Sequence, residues 1–222
     1  MPLFYQHNIN ESTRLAIWHI EEDEAFFLKR VPLKRDVSHP HKRLQHLAGR
    51  YLLTELFSDF PLAEILVADT RKPYLPGEKY HFSISHCGSF AAAIVSLRFR
   101  VGIDVEQAGP AIGRIREKFL SADELAMACR EPEHSGQWLR QLTLLWSAKE
   151  SIFKWYSLGG VNFREHIQWL EPCFTRAEEA PGKLGFAFLK GGNQDLTVHY
   201  KLFNDLVLSF VYSRDRLAPD NA

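Results

Sequence analysis

The chain is 222 residues long, enough for one large domain or two small ones, and 45% of it is hydrophobic, which supplies an ordinary globular core. Lysine plus arginine, 27, equals aspartate plus glutamate, 27, so the formal charge is zero; a general nucleic-acid binder, which needs a basic surplus, is not expected, although a local basic pocket remains open. Cys87, Cys129 and Cys173 are widely spaced with no CxxC pair, residues 1–10 show no basic stretch leading into an apolar one, and no apolar run approaches membrane-spanning length. A disulfide framework, a structural zinc site, a signal peptide and a membrane span are therefore not expected, and a reducing cytoplasm is the expected setting.

In chain order, Leu15, Ile17, Trp18 and Ile20 read as an early strand and residues 21–28 as a short helix. Ser38 and Pro40 open a helix on which Leu44, Leu47, Ala48, Tyr51, Leu52 and Leu56 recur at helical spacing. Residues 65–68 predict a strand, and residues 72–77 carry loop chemistry. Residues 80–85 and 90–97 predict two strands joined by a tight turn at residues 86–89, and residues 101–106 predict a third. Ser121 with Glu124 makes a capping-box pattern that starts a helix. A polar loop over 131–136 leads into a long helix from about residue 137 to residue 158, stopped by Gly159-Gly160. Trp138, Leu142, Leu145, Ile152, Phe153 and Tyr156 give that helix one broad apolar face, with Trp146, Glu150 and Lys154 along its flank. Residues 184–189, 196–203 and 206–212 predict strands, the last two joined by a turn at Asn204-Asp205. This order predicts an α+β protein of two similar halves, residues 1–100 and 101–222.

The densest chemistry lies in two acidic segments. In Gly102-Ile103-Asp104-Val105-Glu106, apolar residues alternate with acidic ones, so a strand turns both carboxylates to one face. That face is either simply solvated or it meets a cation or a lysine, because neighbouring like charges repel. In the second segment, Glu150 and Lys154 stand four apart on one side of a helix. They make either a surface ion pair or, joined to the first pair, a set of three carboxylates and a lysine suited to a hard divalent cation holding a phosphate. Lys149, close to the apolar face, either snorkels outward or meets a partner. His86, after Ser85, either caps its turn, or binds a phosphate or donates to a leaving group. No GxSxG surrounds Ser85, so it is not a hydrolase elbow, and Cys87 beside His86 is discounted as a nucleophile because neighbours in a turn rarely point at each other. Arg43, Arg50, Arg71 and Lys72 are candidate anion ligands, with solvated surface arginines as the alternative. Gly159-Gly160 lacks the lysine and hydroxyl of a phosphate loop.

Taken together, four segments resemble the 4′-phosphopantetheinyl transferase superfamily: His81-Phe82-Ser83-Ile84-Ser85-His86, Val101-Gly102-Ile103-Asp104-Val105-Glu106, Phe119-Leu120-Ser121-Ala122-Asp123-Glu124, and Leu145-Trp146-Ser147-Ala148-Lys149-Glu150-Ser151-Ile152-Phe153-Lys154. Their order and spacing agree with the family, and the last segment is close to diagnostic. The length resembles the surfactin-synthetase-activating type, a monomer of two pseudo-symmetric α/β halves with coenzyme A in the cleft between them. The resemblance implies transfer of phosphopantetheine from coenzyme A to a serine of an acyl or peptidyl carrier protein, with release of 3′,5′-ADP. By motif it places Mg²⁺, or Mn²⁺, on Asp104, Glu106 and Glu150, and it makes Glu150 the base for the serine proton or the group that orients it. It sets Lys154 on the pyrophosphate, Ser85 and His86 at the nucleotide phosphates, Lys72 at the adenine and 3′-phosphate end, and Arg50 near the same phosphate. Ser83 stands where many members carry asparagine. The rival expectations are a metal-dependent phosphohydrolase using the same carboxylates and a non-catalytic carrier-binding module. All three readings concern a cytoplasmic protein with no nucleic-acid or membrane partner.

Overall fold

In a computed structural model, which describes residues 2–32, 37–70, 72–128, 132–170 and 181–214, the chain begins with β1 (Leu3–Asn10) and β2 (Thr13–His19). There follow α1 (Glu24–Leu28), α2 (Pro40–Leu56), a short ribbon of β3 (Leu66–Val67) and β4 (Pro73–Tyr74), then β5 (His81–Cys87) and β6 (Phe90–Ser96). The remainder is β7 (Arg100–Gln107), α3 (Ala111–Phe119), α4 (Ala122–Ala128), α5 (Gly136–Tyr156), α6 (Phe163–His166), β8 (Ile167–Trp169), β9 (Gly182–Phe188), β10 (Gln194–Phe203) and β11 (Leu206–Ser213). Arg71, Cys129 and Cys173 lie outside the described residues.

Two antiparallel sheets carry the fold, one in the order β1-β2-β6-β5 and the other in the order β7-β11-β10-β9-β8. They stack between two helices, so the layers run α2, first sheet, second sheet, α5. The strand pattern explains the stacking, because alternate side chains of β2 and β6 leave on opposite faces. Ala16, Trp18, Ala91, Ala93 and Val95 pack with Leu47, Leu52 and Leu56 of α2. Leu15, Ile17, Ala92 and Ile94 pack instead against Ile103, Val105, Leu208 and Phe210 of the second sheet. The other face of that sheet, with Val198, Val207 and Val211, buries Leu145, Ala148 and Ile152 of α5. The run of small residues in β6 lets both neighbours approach closely.

The helices start and stop for local reasons. Pro40 opens α2, where a fixed φ and a missing N–H cost nothing, and the helix ends as Phe57 turns extended at φ −139°. Ser135 caps α5 by accepting the N–H of Trp138 at 3.1 Å, and Ser157 closes it in the left-handed conformation at φ 65°. Among the described residues, no helix is long and apolar enough to cross a membrane.

The α+β class is as expected, and most strand and helix assignments hold. β1, α3, α6 and β8 were not anticipated, β4 lies in the stretch read as loop, and α5 ends at Tyr156, closed by Ser157 rather than by Gly159-Gly160. The turn between β5 and β6 is only Gly88-Ser89, with Gly88 at φ 48°, so His86 lies on β5, paired with Ala91, and not in the turn.

Candidate active site

The inner edges of the two sheets, β5 and β7, run side by side, and side chains rather than a backbone ladder connect them. Ser83 and Ser85 share one face of β5. The Ser83 hydroxyl accepts the N–H of Ile103 at 3.2 Å, and Ser85 Oγ donates to Asp104 Oδ1 at 2.8 Å. From α5, Lys154 Nζ reaches into the same point, 2.6 Å from Asp104 Oδ1 and 2.8 Å from Ser85 Oγ. Three elements from distant parts of the chain therefore meet at one oxygen. Asp104 is buried, and its second oxygen, Oδ2, has no hydrogen-bond partner.

Two more carboxyls flank this point. Glu106, two residues along β7 on the same face, accepts the indole N–H of Trp146 at 3.3 Å. Burial, and after it the charge of Asp104, pushes Glu106 up to about 7; Trp146 and Lys154 oppose the shift and Glu150 adds to it. Burial and then Asp104 likewise push Glu150 up to about 7, against Lys154. The three acids thus lie within each other's electrostatic reach. Lys154 pairs across the sheets with Asp104, in place of the surface pairing along one helix considered as the alternative. As the side chains stand, no group of three histidine, cysteine, aspartate or glutamate side chains among the described residues is placed to hold a metal ion.

Of the positively charged candidates, Lys72 and Arg50 line different cavities. Lys72 donates to the backbone carbonyl of Lys154, and burial, followed by Arg100 and Lys154, pushes it down to about 7. With Pro73, Phe82, Ser83, Phe153 and Lys154 it lines a cavity of about 250 Å³. A second cavity, of about 330 Å³, is lined by His46, Arg50, Ile65, Pro73, Ile84 and His86. Arg50 donates to His46 Nδ1 at 3.0 Å, and burial lowers the pKa of His86. Arg43 does not join Arg50: its guanidinium pairs with Glu24 at 2.8 Å and donates to the Val37 carbonyl at 3.2 Å. Burial pushes the Cys87 thiol up to about 12, which removes the thiolate a nucleophile needs.

Sequence reasoning missed the contact of Trp146 with Glu106 and the grip of Lys72 on α5. The first had a signal, since Trp146 lies one turn before Glu150 on the same flank. The second had none, because its acceptor is a backbone atom 82 positions away.

Comparison with known proteins agrees with the motifs. A family model described as the 4′-phosphopantetheinyl transferase superfamily matches residues 100–211, half of the chain. The chain therefore belongs to the 4′-phosphopantetheinyl transferase superfamily. It is 34% identical over 122 residues to the enterobactin synthase component D of Salmonella austin, covering 52% of this chain and 48% of that protein. It is also 34% identical over 114 residues to the protein of the same name in Escherichia coli (strain K12), covering 51% and 54% respectively. The chain spans about half the length of the curated relatives it matches.

Proposed function

We propose that the protein transfers 4′-phosphopantetheine from coenzyme A to a serine of an apo acyl or peptidyl carrier protein. The observation that carries this reading is the convergence of Lys154, Ser85 and Asp104 where β5, β7 and α5 meet, in a chain of this superfamily. In the balanced step, the carrier serine Oγ bonds to the β-phosphorus of coenzyme A as the phosphorus–oxygen bond to 3′,5′-ADP breaks. The serine proton passes to Glu150 or to a base that Glu150 orients. The transition state of such a transfer is loose, so catalysis consists of positioning and charge neutralisation.

The donor set suits a hard divalent cation. Asp104, Glu106 and Glu150 offer oxygen ligands only, and the unpartnered buried oxygen of Asp104 is the kind of acceptor that a cation satisfies. Asp104, Glu106 and Glu150 would hold Mg²⁺, or Mn²⁺, which when bound supplies neutralisation of the pyrophosphate charge. Lys154 adds a second positive charge at the pyrophosphate. Ser85 and His86 bind the nucleotide phosphates, and Lys72 binds at the adenine and 3′-phosphate end, with Arg50 at that same phosphate. In this reading residues 1–100 and 101–222 act as two halves with coenzyme A between them, in a cytoplasmic monomer of the surfactin-synthetase-activating type.

The test is incubation with coenzyme A, Mg²⁺ and a panel of apo-carriers from fatty-acid, polyketide and nonribosomal-peptide synthesis. The expected result is a carrier heavier by one phosphopantetheine. No mass gain on any carrier overturns the reading. Phosphate products released with no carrier present would support the phosphohydrolase alternative, and carrier binding indifferent to coenzyme A and Mg²⁺ would support the scaffold.

A further inference from the structure

Lys149 lies one residue before Glu150 on α5, and its side chain is 0% exposed. Its ammonium has three protons and four oxygens in reach: the backbone carbonyls of Phe119 at 2.8 Å, Phe163 at 3.0 Å and Ile167 at 2.7 Å, and Glu124 Oε2 at 2.8 Å. Glu124 is as fully engaged. Its Oε2 also accepts the N–H of Ser121 at 2.8 Å, and its Oε1 accepts the N–H of Trp169 at 2.8 Å. One charge pair thus ties together the end of α3, the first turn of α4, the middle of α5, the start of α6 and β8.

Two routes run from this knot to the acidic site. The first is α5 itself. With Lys149 fixed, the rotation of the helix about its axis is fixed, and Glu150 and Lys154 project from the neighbouring flank. The second runs through the residues whose carbonyls Lys149 holds. The rings of Phe119 and Phe163 pack on Trp146 at 5.2 and 5.6 Å, and Trp146 is the donor to Glu106. Apolar side chains would fill the same space without the desolvation that a buried ammonium suffers, but they would not set one geometry as a satisfied polar network does.

We propose that Lys149 and Glu124 are positioning residues for the transfer reaction, a buried ion pair that sets the direction of Glu150 and, through Trp146, of Glu106. The inference rests on the transferase reading above. Neither residue touches substrate in it; both act through the two carboxyls they orient.

Lys149→Met keeps the length of the side chain and removes its charge. Leu184→Ala, at a buried position of the same core, serves as the control for lost stability alone. Both are compared with the natural protein as folded material, for Mn²⁺ affinity by electron paramagnetic resonance and for kcat and KM with coenzyme A. Groups that orient metal-binding side chains from behind change metal affinity and activity by about 10- to 100-fold. Lys149→Met is expected to weaken Mn²⁺ binding and lower kcat by about tenfold or more, with KM for coenzyme A within about twofold, while Leu184→Ala lowers Tm and moves neither. Natural Mn²⁺ affinity and kcat in folded Lys149→Met, or equal shifts in Leu184→Ala, overturn the proposal. If Lys149→Met does not fold, Lys149→Met/Glu124→Gln, which removes both charges, is held to the same outcomes. The Mn²⁺ arm needs no turnover, so a natural protein that binds Mn²⁺ but modifies no carrier sinks the transferase reading while the positioning of the carboxyls is still decided.

Discussion

The Ser83 hydroxyl accepts the backbone N–H of Ile103 at 3.2 Å, linking strands that belong to different sheets. An edge strand leaves backbone groups unpaired, and here a side chain takes the place of the missing ladder. Ser83→Ala strands that N–H inside the molecule and is expected to cost about 1–2 kcal/mol of stability. Urea unfolding measures it; an unchanged midpoint would mean that the seam does not depend on this bond.

Asp104 is the acceptor that Ser85 and Lys154 share, and Asp104→Ala leaves the lysine without its carboxylate. Under the proposed function, kcat/KM for transfer falls by at least about 100-fold, equivalent to about 2.7 kcal/mol in the barrier. Because the lysine side chain is 25% exposed, water reaches it and the fold survives. Carrier labelling with a fluorescent coenzyme A analogue reads the first effect and circular dichroism the second. Full activity in the folded variant would falsify the assignment.

Gly102 is where β7 and α5 come closest. A Cβ there would lie 2.0 Å from the Ser151 carbonyl oxygen and 2.7 Å from the Trp155 nitrogen, both backbone atoms that cannot swing aside. Gly102→Ala must push the strand and helix apart, at an expected cost of about 3 kcal/mol or more. Since those two elements carry Asp104 and Lys154, activity per folded molecule should fall with Tm. A variant as stable as the natural protein would show that the strand can slide without penalty.

His199 gives a pH dependence away from the acidic site. Its ring stacks on Phe210 and Tyr212 at 5.2 and 5.4 Å, between Lys183 on β9 and His7 on β1. Burial, then Lys183 and His7, holds its pKa down at about 4, below the ordinary 6.5. Between those values the unfolded chain binds the proton and the folded chain does not. Stability contributed here is therefore full above pH 6.5 and is lost as pH falls toward 4. Urea midpoints measured at about pH 4.5 and about pH 7 should differ less in His199→Gln than in the natural protein. Equal slopes in both proteins would assign the acid sensitivity to other groups.

Legibility followed the physics of each segment. α2 and α5 announce themselves by helical periodicity, and β5 to β7 by short, largely apolar runs bounded by turns. β1 is concealed: it is an edge strand whose inward residues Tyr5, His7 and Ile9 are only partly buried, while Leu3 and Phe4 at its start are both exposed, so its alternation carries little apolar weight. α3 is concealed by Gly113, a poor helix former, which is required because a Cβ there would lie 2.8 Å from the Trp138 ring. Asp104, Glu106, Glu150 and Lys154 were legible from spacing and motif. What spacing cannot supply is which partner each side chain chooses across 50 or more residues, so the pairing of Lys154 with Asp104 had to come from the fold.

The stretch that matches the family begins at residue 100, just inside the seam. A fragment cut at that boundary would keep every acidic ligand candidate and the lysine, yet it would lose Ser85, Lys72 and the whole neighbouring edge. Its first strand, stripped of cover, would offer open hydrogen-bonding groups to any passing chain. Homology and autonomy thus divide this molecule at different places, and a truncation designed from the alignment alone would be expected to aggregate rather than to work.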